Sequence, residues 1–235
     1  MPEFRPVSPV MIVSPHLDDA VLSCGHFLYR NPSTSVVTIL AGAPVEMHEG
    51  YNSKTTGKRY APDAIALRRA EDQSAMDFAG ATPIWLDLLD ADYSEYREHD
   101  DYVEIIREAL DRVLGSSDAK SVVAPLGLIH ADHRAVSEAC LQLAVDSNLA
   151  WYLYMDLPYG FSIRRAVSKR LRDIKRRFPL EEFVAYEGDT AVKRSMMNLY
   201  ESQYAPTMLS NRRGFEATMT GSERYWRIVG LRSPA

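Results

Sequence analysis

Six side chains in two short stretches carry groups suited to metal-assisted hydrolysis. Ser14-Pro15-His16-Leu17-Asp18-Asp19 holds one imidazole and two carboxylates within four residues. His130-Ala131-Asp132-His133 holds two imidazoles and a third carboxylate. His16 and Asp19, three residues apart at a strand–helix corner, can face a common point. Imidazole nitrogen and carboxylate oxygen are both ordinary zinc ligands. Two protein ligands are too few for a tight site. His133 can supply the third and leave open the position that a catalytic zinc keeps for water. Zinc lowers the pKa of such a water to roughly 7. Asp18, beside the ligand Asp19, suits a general base, a role worth roughly 10²–10⁴ in rate. Cleaving an amide also needs help at the carbonyl oxygen and at the leaving nitrogen. His130 is the candidate, with Asp132 to hold its ring in one orientation. The same donors also accept iron or cobalt.

These residues need elements that bring them together. Val10-Met11-Ile12-Val13 is a short apolar strand, and Ala20 to Tyr29 reads as a helix with Asp19 placed to cap it. Ser35 to Ala41 is a β-branched second strand. Val45 to Ala61 is polar and aperiodic, and reads as a mobile loop near the site. Pro62 starts a helix that Gly80 ends, and Thr82 to Leu89 is a third strand. A helix runs from Asp100 to Leu114 with Val103, Ile106, Leu110 and Val113 on one face. Ser121 to Leu126 is a fourth strand, Arg134 to Val145 a helix, and Trp151 to Leu157 a fifth strand. The tail is less regular. It offers a helical stripe of Ile163, Val167, Leu171, Ile174 and Phe178, a helix from Ala191 to Tyr204, and a late strand from Arg224 to Gly230.

Strands alternating with helices at this interval predict an α/β, Rossmann-like fold, with a mostly parallel sheet covered by helices on both faces. Both candidate loops then follow strands and lie on the same edge of the sheet, where open α/β folds bind ligands. Taken alone, an Asp-Asp pair is a cap and a solvated neighbour, and a His-x-x-His is a pair of surface or core histidines. Their shared placement is what points to a site. His26, His48 and His99 lack that context, and Cys24 reads as a small packed residue.

The chain has 235 residues, 46% hydrophobic and 25% charged, with a net charge of −5. That fits one domain spanning 1–235 and argues against general nucleic-acid binding. Two cysteines and no signal-like or membrane-length apolar run suggest a cytoplasmic protein. Two further features stand out. Tyr159, after the fifth strand, either lines the pocket or belongs to a plain turn. The stretch from Arg164 to Arg177 carries eight basic residues. They form the solvated face of a helix or a docking surface for an acidic partner, such as a nucleotide-sugar phosphate or an acyl carrier protein.

The paired loops resemble the LmbE/PIG-L family of zinc-dependent de-N-acetylases. That family's motifs run His-Pro-Asp-Asp-Glu and His-Pro-Asp-His. Here they stand as His16-Leu17-Asp18-Asp19-Ala20 and His130-Ala131-Asp132-His133. Arg68-Arg69-Ala70-Glu71 looks like the family's Arg-x-x-Glu helix, and Trp85 to Asp90 like its apolar strand ending in an acid. Tyr154 to Tyr159, Lys193, Tyr200, Ser202 and Gln203 look like later family segments. The resemblance implies zinc on His16, Asp19 and His133, with Asp18 as base. It implies oxyanion or leaving-group support from His130, tuned by Asp132, and sugar contacts from Arg68 and Asp90. Leu17 and Ala131 replace stiffening prolines, and Ala20 replaces a non-ligand glutamate. The His-Leu-Asp-Asp-Ala form resembles the branch acting on glycopeptides and other natural products. The substrate implied is a small N-acetylated amino sugar, on a scaffold or linked to a nucleotide or carrier. Alternatives are an amidase for a thiol conjugate or a longer acyl chain, and a sugar- or nucleotide-binding module without chemistry. The last is disfavoured by the lack of a glycine-rich first turn.

Overall fold

The computed structural model describes residues 3–44, 56–57, 61–90, 99–185, 188–204 and 212–230. Its strands are β1 (Val10–Ser14), β2 (Ser35–Thr38), β3 (Thr82–Trp85), β4 (Ser121–Pro125), β5 (Ala150–Tyr154), β6 (Leu180–Ala185) and β7 (Glu223–Ile228). Its helices are α1 (Asp19–Arg30), α2 (Ala61–Ala79), α3 (His99–Gly115), α4 (Ala131–Asp146), α5 (Tyr159–Ser162), α6 (Arg164–Lys175), α7 (Thr190–Asn198) and α8 (Arg212–Thr220). The strands form one sheet in the order β3-β2-β1-β4-β5-β7-β6. The first five run parallel. β7 joins β5 antiparallel, and β6 closes the edge antiparallel to β7.

The apolar runs of β1, β4 and β5 form strands that are buried on two sides. Along β1, Met11 and Val13 enter one core with α3, α4 and α6, while Val10 and Ile12 enter the other with α1, α2, α7 and α8. That is the two-residue alternation of a strand. In α3 the predicted stripe is buried at Val103, Ile106 and Leu110, joined by Tyr102. After β1 the chain moves outward to β2 and β3; after β4 it moves the opposite way to β5. The loops leaving β1 and β4 therefore flank the point where strand order reverses, the crevice in which such sheets hold ligands.

Several details differ from the sequence expectation. β2 and β3 stop at Thr38 and Trp85, and the chain continues through an isolated bridge between Leu40 and Asp87. β5 likewise stops at Tyr154, before Asp156. β6 was not anticipated: as an edge strand it keeps its glutamates and shows no apolar run. α7 ends at Asn198, short of Tyr204, and α8 was not anticipated. Ile163 is 43% exposed and outside the stripe that buries Val167 and Ile174. Apart from 56–57 and Ala61, the loop expected at 45–61 lies outside the described residues, as do His48 and residues 231–235.

Candidate active site

The site is built from the loops after β1, β4 and β5. Ser14, the last residue of β1, braces the first loop. Its hydroxyl donates to the His16 carbonyl at 2.7 Å and accepts the Ala20 N–H at 3.1 Å. Ser14 thus serves the orphan N–H of α1 that Asp19 was expected to cap. No side chain of Asp18 caps α1 either. The Asp19 carboxylate is used elsewhere: its Oδ2 accepts the His16 N–H at 3.0 Å and lies 3.2 Å from His16 Nδ1. Asp18 sits at φ 137°, a conformation that strains a residue with a side chain. The strain sends adjacent carboxylates to different partners: Asp18 Oδ1 lies 3.8 Å from Arg68 Nη2, while Asp19 faces the histidines.

The second loop supplies His133, whose Nε2 lies 3.2 Å from the same Asp19 Oδ2. One ligand atom each from His16, Asp19 and His133 falls within 4.8 Å of the others. Two ring nitrogens and one carboxylate oxygen converge here, the donor types that a divalent cation takes once the rings give up their protons. The far side of each ring is also held by a carboxylate. His16 Nε2 lies 3.0 Å from Asp132 Oδ2, and His133 Nδ1 lies 2.7 Å from Asp156 Oδ1. Such partners set tautomer and direction in metal-binding histidines. The donors therefore fit a metal.

Asp132 was expected to orient His130. Its carboxylate lies 3.6 Å from His130 Nδ1 but closer to His16. The Asp132 backbone N–H does hold His130, donating to Nδ1 at 3.3 Å. Nδ1 is then an acceptor, so the neutral ring carries its proton on Nε2. The His130 side chain is 45% exposed, whereas that of His133 is 2% exposed. The rings of His16 and His130 are 5.3 Å apart, and those of His130 and His133 5.5 Å.

Burial pushes the Asp18 carboxyl upward, the Asp19 charge adds to it, and Arg68 opposes; the result is about 7. Burial raises Asp19 as well, but His133 and His16 outweigh it and hold Asp19 far below the usual carboxylate range. Burial lowers His16, yet the hydrogen bonds to Asp132 and Asp19 prevail and raise it to about 9. Burial likewise lowers His133, and Asp19 with Asp156 lift it well above the ordinary imidazole value. Burial and the neighbouring His16 and His133 lower His130.

Arg68 is buried on α2, and its Nη2 donates to the Leu17 carbonyl at 3.1 Å. The late segments hold that helix in place. Ser202 donates to Glu71 from both its N–H and its hydroxyl, and Tyr200 donates to Asp72 at 2.7 Å. Tyr159 opens α5, and its ring meets His133 edge-on at 5.6 Å. Asp90 is buried. Burial and the charges of Asp132 and Asp90 raise the Tyr102 phenol, which donates to the Leu89 carbonyl. Asp156 is the partner that sequence reasoning did not single out. It is 0% exposed, and its Oδ2 also accepts the Gly127 N–H at 3.0 Å. Its position just beyond β5, on the same sheet edge, was the available signal.

Residues 11–144 match the GlcNAc-PI de-N-acetylase family, PIG-L. The chain belongs to the PIG-L family. No curated protein gives a significant sequence match. Among solved structures, the PIG-L chain is similar to the deacetylase of the A40926 pseudoaglycone, with 26% identity, a TM-score of 0.71, and coverage of 94% of this chain and 96% of that one. The zinc-inhibited form of teicoplanin deacetylase gives 24% identity, a TM-score of 0.77 and coverage of 94% and 97%. N,N'-diacetylchitobiose deacetylase from Pyrococcus horikoshii gives 16%, a TM-score of 0.56 and coverage of 93% and 83%. The two pairs below 25% show the shared fold.

Proposed function

We propose that this PIG-L protein hydrolyses the N-acetyl group of an amino sugar, with His16, Asp19 and His133 holding a zinc ion. The observation that carries the reading is the convergence of those three ligand atoms, with the His130 ring 5.3 Å from that of His16. Zinc held there would supply a Lewis acid for the acyl oxygen and would make water more acidic. Asp18, raised to about 7, is poised to take a proton from the attacking water near neutral pH. A cation beside Asp18 would lower that value further. Arg68, 3.8 Å away, favours the charged form of Asp18 and opposes the rise that burial and Asp19 cause. His130, neutral with its proton on Nε2, is set to donate to the oxygen that becomes negative as water adds. Asp132 and Asp156 fix the ligand rings. Tyr159 borders the pocket at His133, and Arg68 and Asp90 are the candidate sugar contacts. The A40926 relative, named a pseudoaglycone deacetylase, supports an amino sugar on a natural-product scaffold. Convergent donors also favour an enzyme over a binding module.

Two measurements test this. Metal content should be near one zinc per chain in the wild type and far lower in His133→Ala. Acetate release from N-acetylated sugars should fall about 10²–10⁴-fold in Asp18→Asn, with zinc retained. A fully active Asp18→Asn protein would remove the base from this mechanism. A wild type that takes up no metal from zinc solution would remove the ligand set. Release of a longer acid or a thiol amine in place of acetate would redirect the substrate.

A further inference from the structure

Outside the catalytic cluster lies a groove between the second histidine loop and the basic helix α6. Two hollows of about 330 and 240 Å³ share Ile129, Arg134 and Arg170. The first includes Ala131 and the second Lys169, so the groove starts on the two residues flanking His130. Its charges are unevenly matched. Glu138 is engaged by Arg170 at 3.6 Å and by Arg177. Asp173 is engaged by Arg176 at 3.4 Å. Arg170 is fixed further, donating to the Leu126 carbonyl and the Ser137 hydroxyl. Arg134 and Lys169 are both exposed, and among the described residues neither cation has a carboxylate partner. Burial lowers Arg170; Glu138 opposes, and the like charge of Arg134 lowers it further. At the mouth, Ile129 is 48% exposed and held at φ 56°. A β-branched residue is costly in that region, and such strain persists where the surroundings impose it. An apolar side chain is thereby presented at the rim, beside these two cations.

We infer that this groove binds an anionic group, a carboxylate or a phosphate, carried by the same molecule whose amide enters the catalytic centre. The inference rests on the amide-cleaving reading above and extends it to the substrate's far end. Both carboxylates lining the groove are satisfied, so Arg134 and Lys169, which have no carboxylate partner among the described residues, are left to select a negative group. Arg134 offers a planar fork for either anion and Lys169 a point charge. Ile129 covers the carbon framework between the anion and the sugar. The hollows exceed the roughly 30 Å³ share of one water several-fold, enough for an oxyanion and part of a ring.

Three N-acetylglucosamine probes test the groove: the 4-carboxyphenyl glycoside, its neutral 4-carbamoylphenyl counterpart, and the anomeric phosphate. Equilibrium binding by calorimetry and acetate release are both measured, for zinc-loaded wild type, Arg134→Ala/Lys169→Ala and Arg172→Ala. At least one anionic probe should bind about tenfold more tightly than the neutral one to wild type. That ratio should fall to about one in the double variant and stay unchanged in Arg172→Ala, which alters the same basic helix away from the groove. Which anion is preferred separates carboxylate from phosphate. Equal binding of all three probes to wild type overturns the inference, as does an anion preference that survives the double variant. A preference lost equally in Arg172→Ala would assign it to general charge and overturn the groove as well. Anion-selective binding without acetate release would uphold the groove and refute the deacetylase reading, so the two failures are distinct.

Discussion

Replacing Asp156 with Asn removes one charge and almost no volume, in a place where both oxygens are spoken for. Oδ1 faces His133 Nδ1 at 2.7 Å, and Oδ2 accepts the Gly127 N–H at 3.0 Å. An amide can serve only one of them. If its oxygen faces His133, its NH₂ confronts the Gly127 N–H, two donors in a dry site. If its NH₂ faces His133, Nδ1 must give up its proton and Nε2 must carry one. Nε2 is the nitrogen 3.2 Å from Asp19 that is assigned to the metal. Either arrangement weakens the ligand. Loss of such a partner costs about 10- to 100-fold in metal affinity, or about 1.4–2.8 kcal/mol. The stranded donor should cost the metal-free protein about 1–3 kcal/mol of stability. Zinc affinity is read by competition with a chromogenic chelator, and stability by urea unfolding of the stripped protein. An Asn variant that unfolds more easily yet holds zinc within twofold of wild type would refute the reasoning, because His133 would then be oriented without Asp156.

Gly127 holds φ 83°, and a Cβ there would meet Ser137 Cβ at 2.6 Å. Gly127→Ala should therefore destabilise the protein by about 2–4 kcal/mol, combining left-handed strain and overpacking, and a thermal melt within 2 °C of wild type would contradict it (roughly 0.5–1 kcal/mol on the usual scale). Lys193 and Glu223 form a fully buried pair at 2.8 Å, so Lys193→Met should cost about 3–5 kcal/mol in urea unfolding. Replacing Glu223 with Gln in the same chain should not restore that loss, because both Glu223 oxygens accept backbone N–H groups, from His26 and Phe27, and an amide can serve only one of them; a Lys193→Met protein as stable as wild type would show that the pair is not needed. In the metal-free protein the raised His16 value means stabilisation that is complete below about 6.5 and fades as pH climbs towards 9. Its melting temperature should fall across that window while the zinc-loaded form stays flatter. Zinc uptake at pH 7 should release protons, measurable by calorimetry in buffers of different ionisation enthalpy.

Most of the parallel half of the sheet was legible because β1, β4 and β5 are buried on both faces and so appear as bare apolar runs. The histidine loops were legible because they directly follow two such runs. β6 was not, since an edge strand tolerates Glu181 and Glu182 and needs no apolar alternation. The Asp132 contact to His130 was legible, but its shorter contact to His16 was not. Adjacency in sequence suggested His130 as its carboxylate's partner, but the closer ring, His16, comes from 116 positions away. Asp156 was hidden by its setting, as a single acid after a strand and before a proline resembles a turn residue. Arg134 and Lys169 could not be told from solvated surface cations until α4 and α6 were placed side by side.

α1 is broken at Cys24, which has non-helical backbone angles, and the two N–H groups freed just after the break, on His26 and Phe27, donate to Glu223. Those partners lie 197 and 196 residues apart. Ser23, one residue before the break, accepts the Leu157 N–H next to Asp156. The helix that starts at Asp19 is thus completed by a strand synthesised near the end of the chain. During translation α1 must wait for β7 with these N–H groups unserved, and β5 waits for the same strand along one edge. Contacts of such long sequence separation close slowly, and exposed apolar strands invite aggregation in the interval. Recombinant yield is therefore expected to follow temperature and chaperone supply, and fusions or truncations after β5 should give insoluble protein even though every metal-facing residue is still encoded.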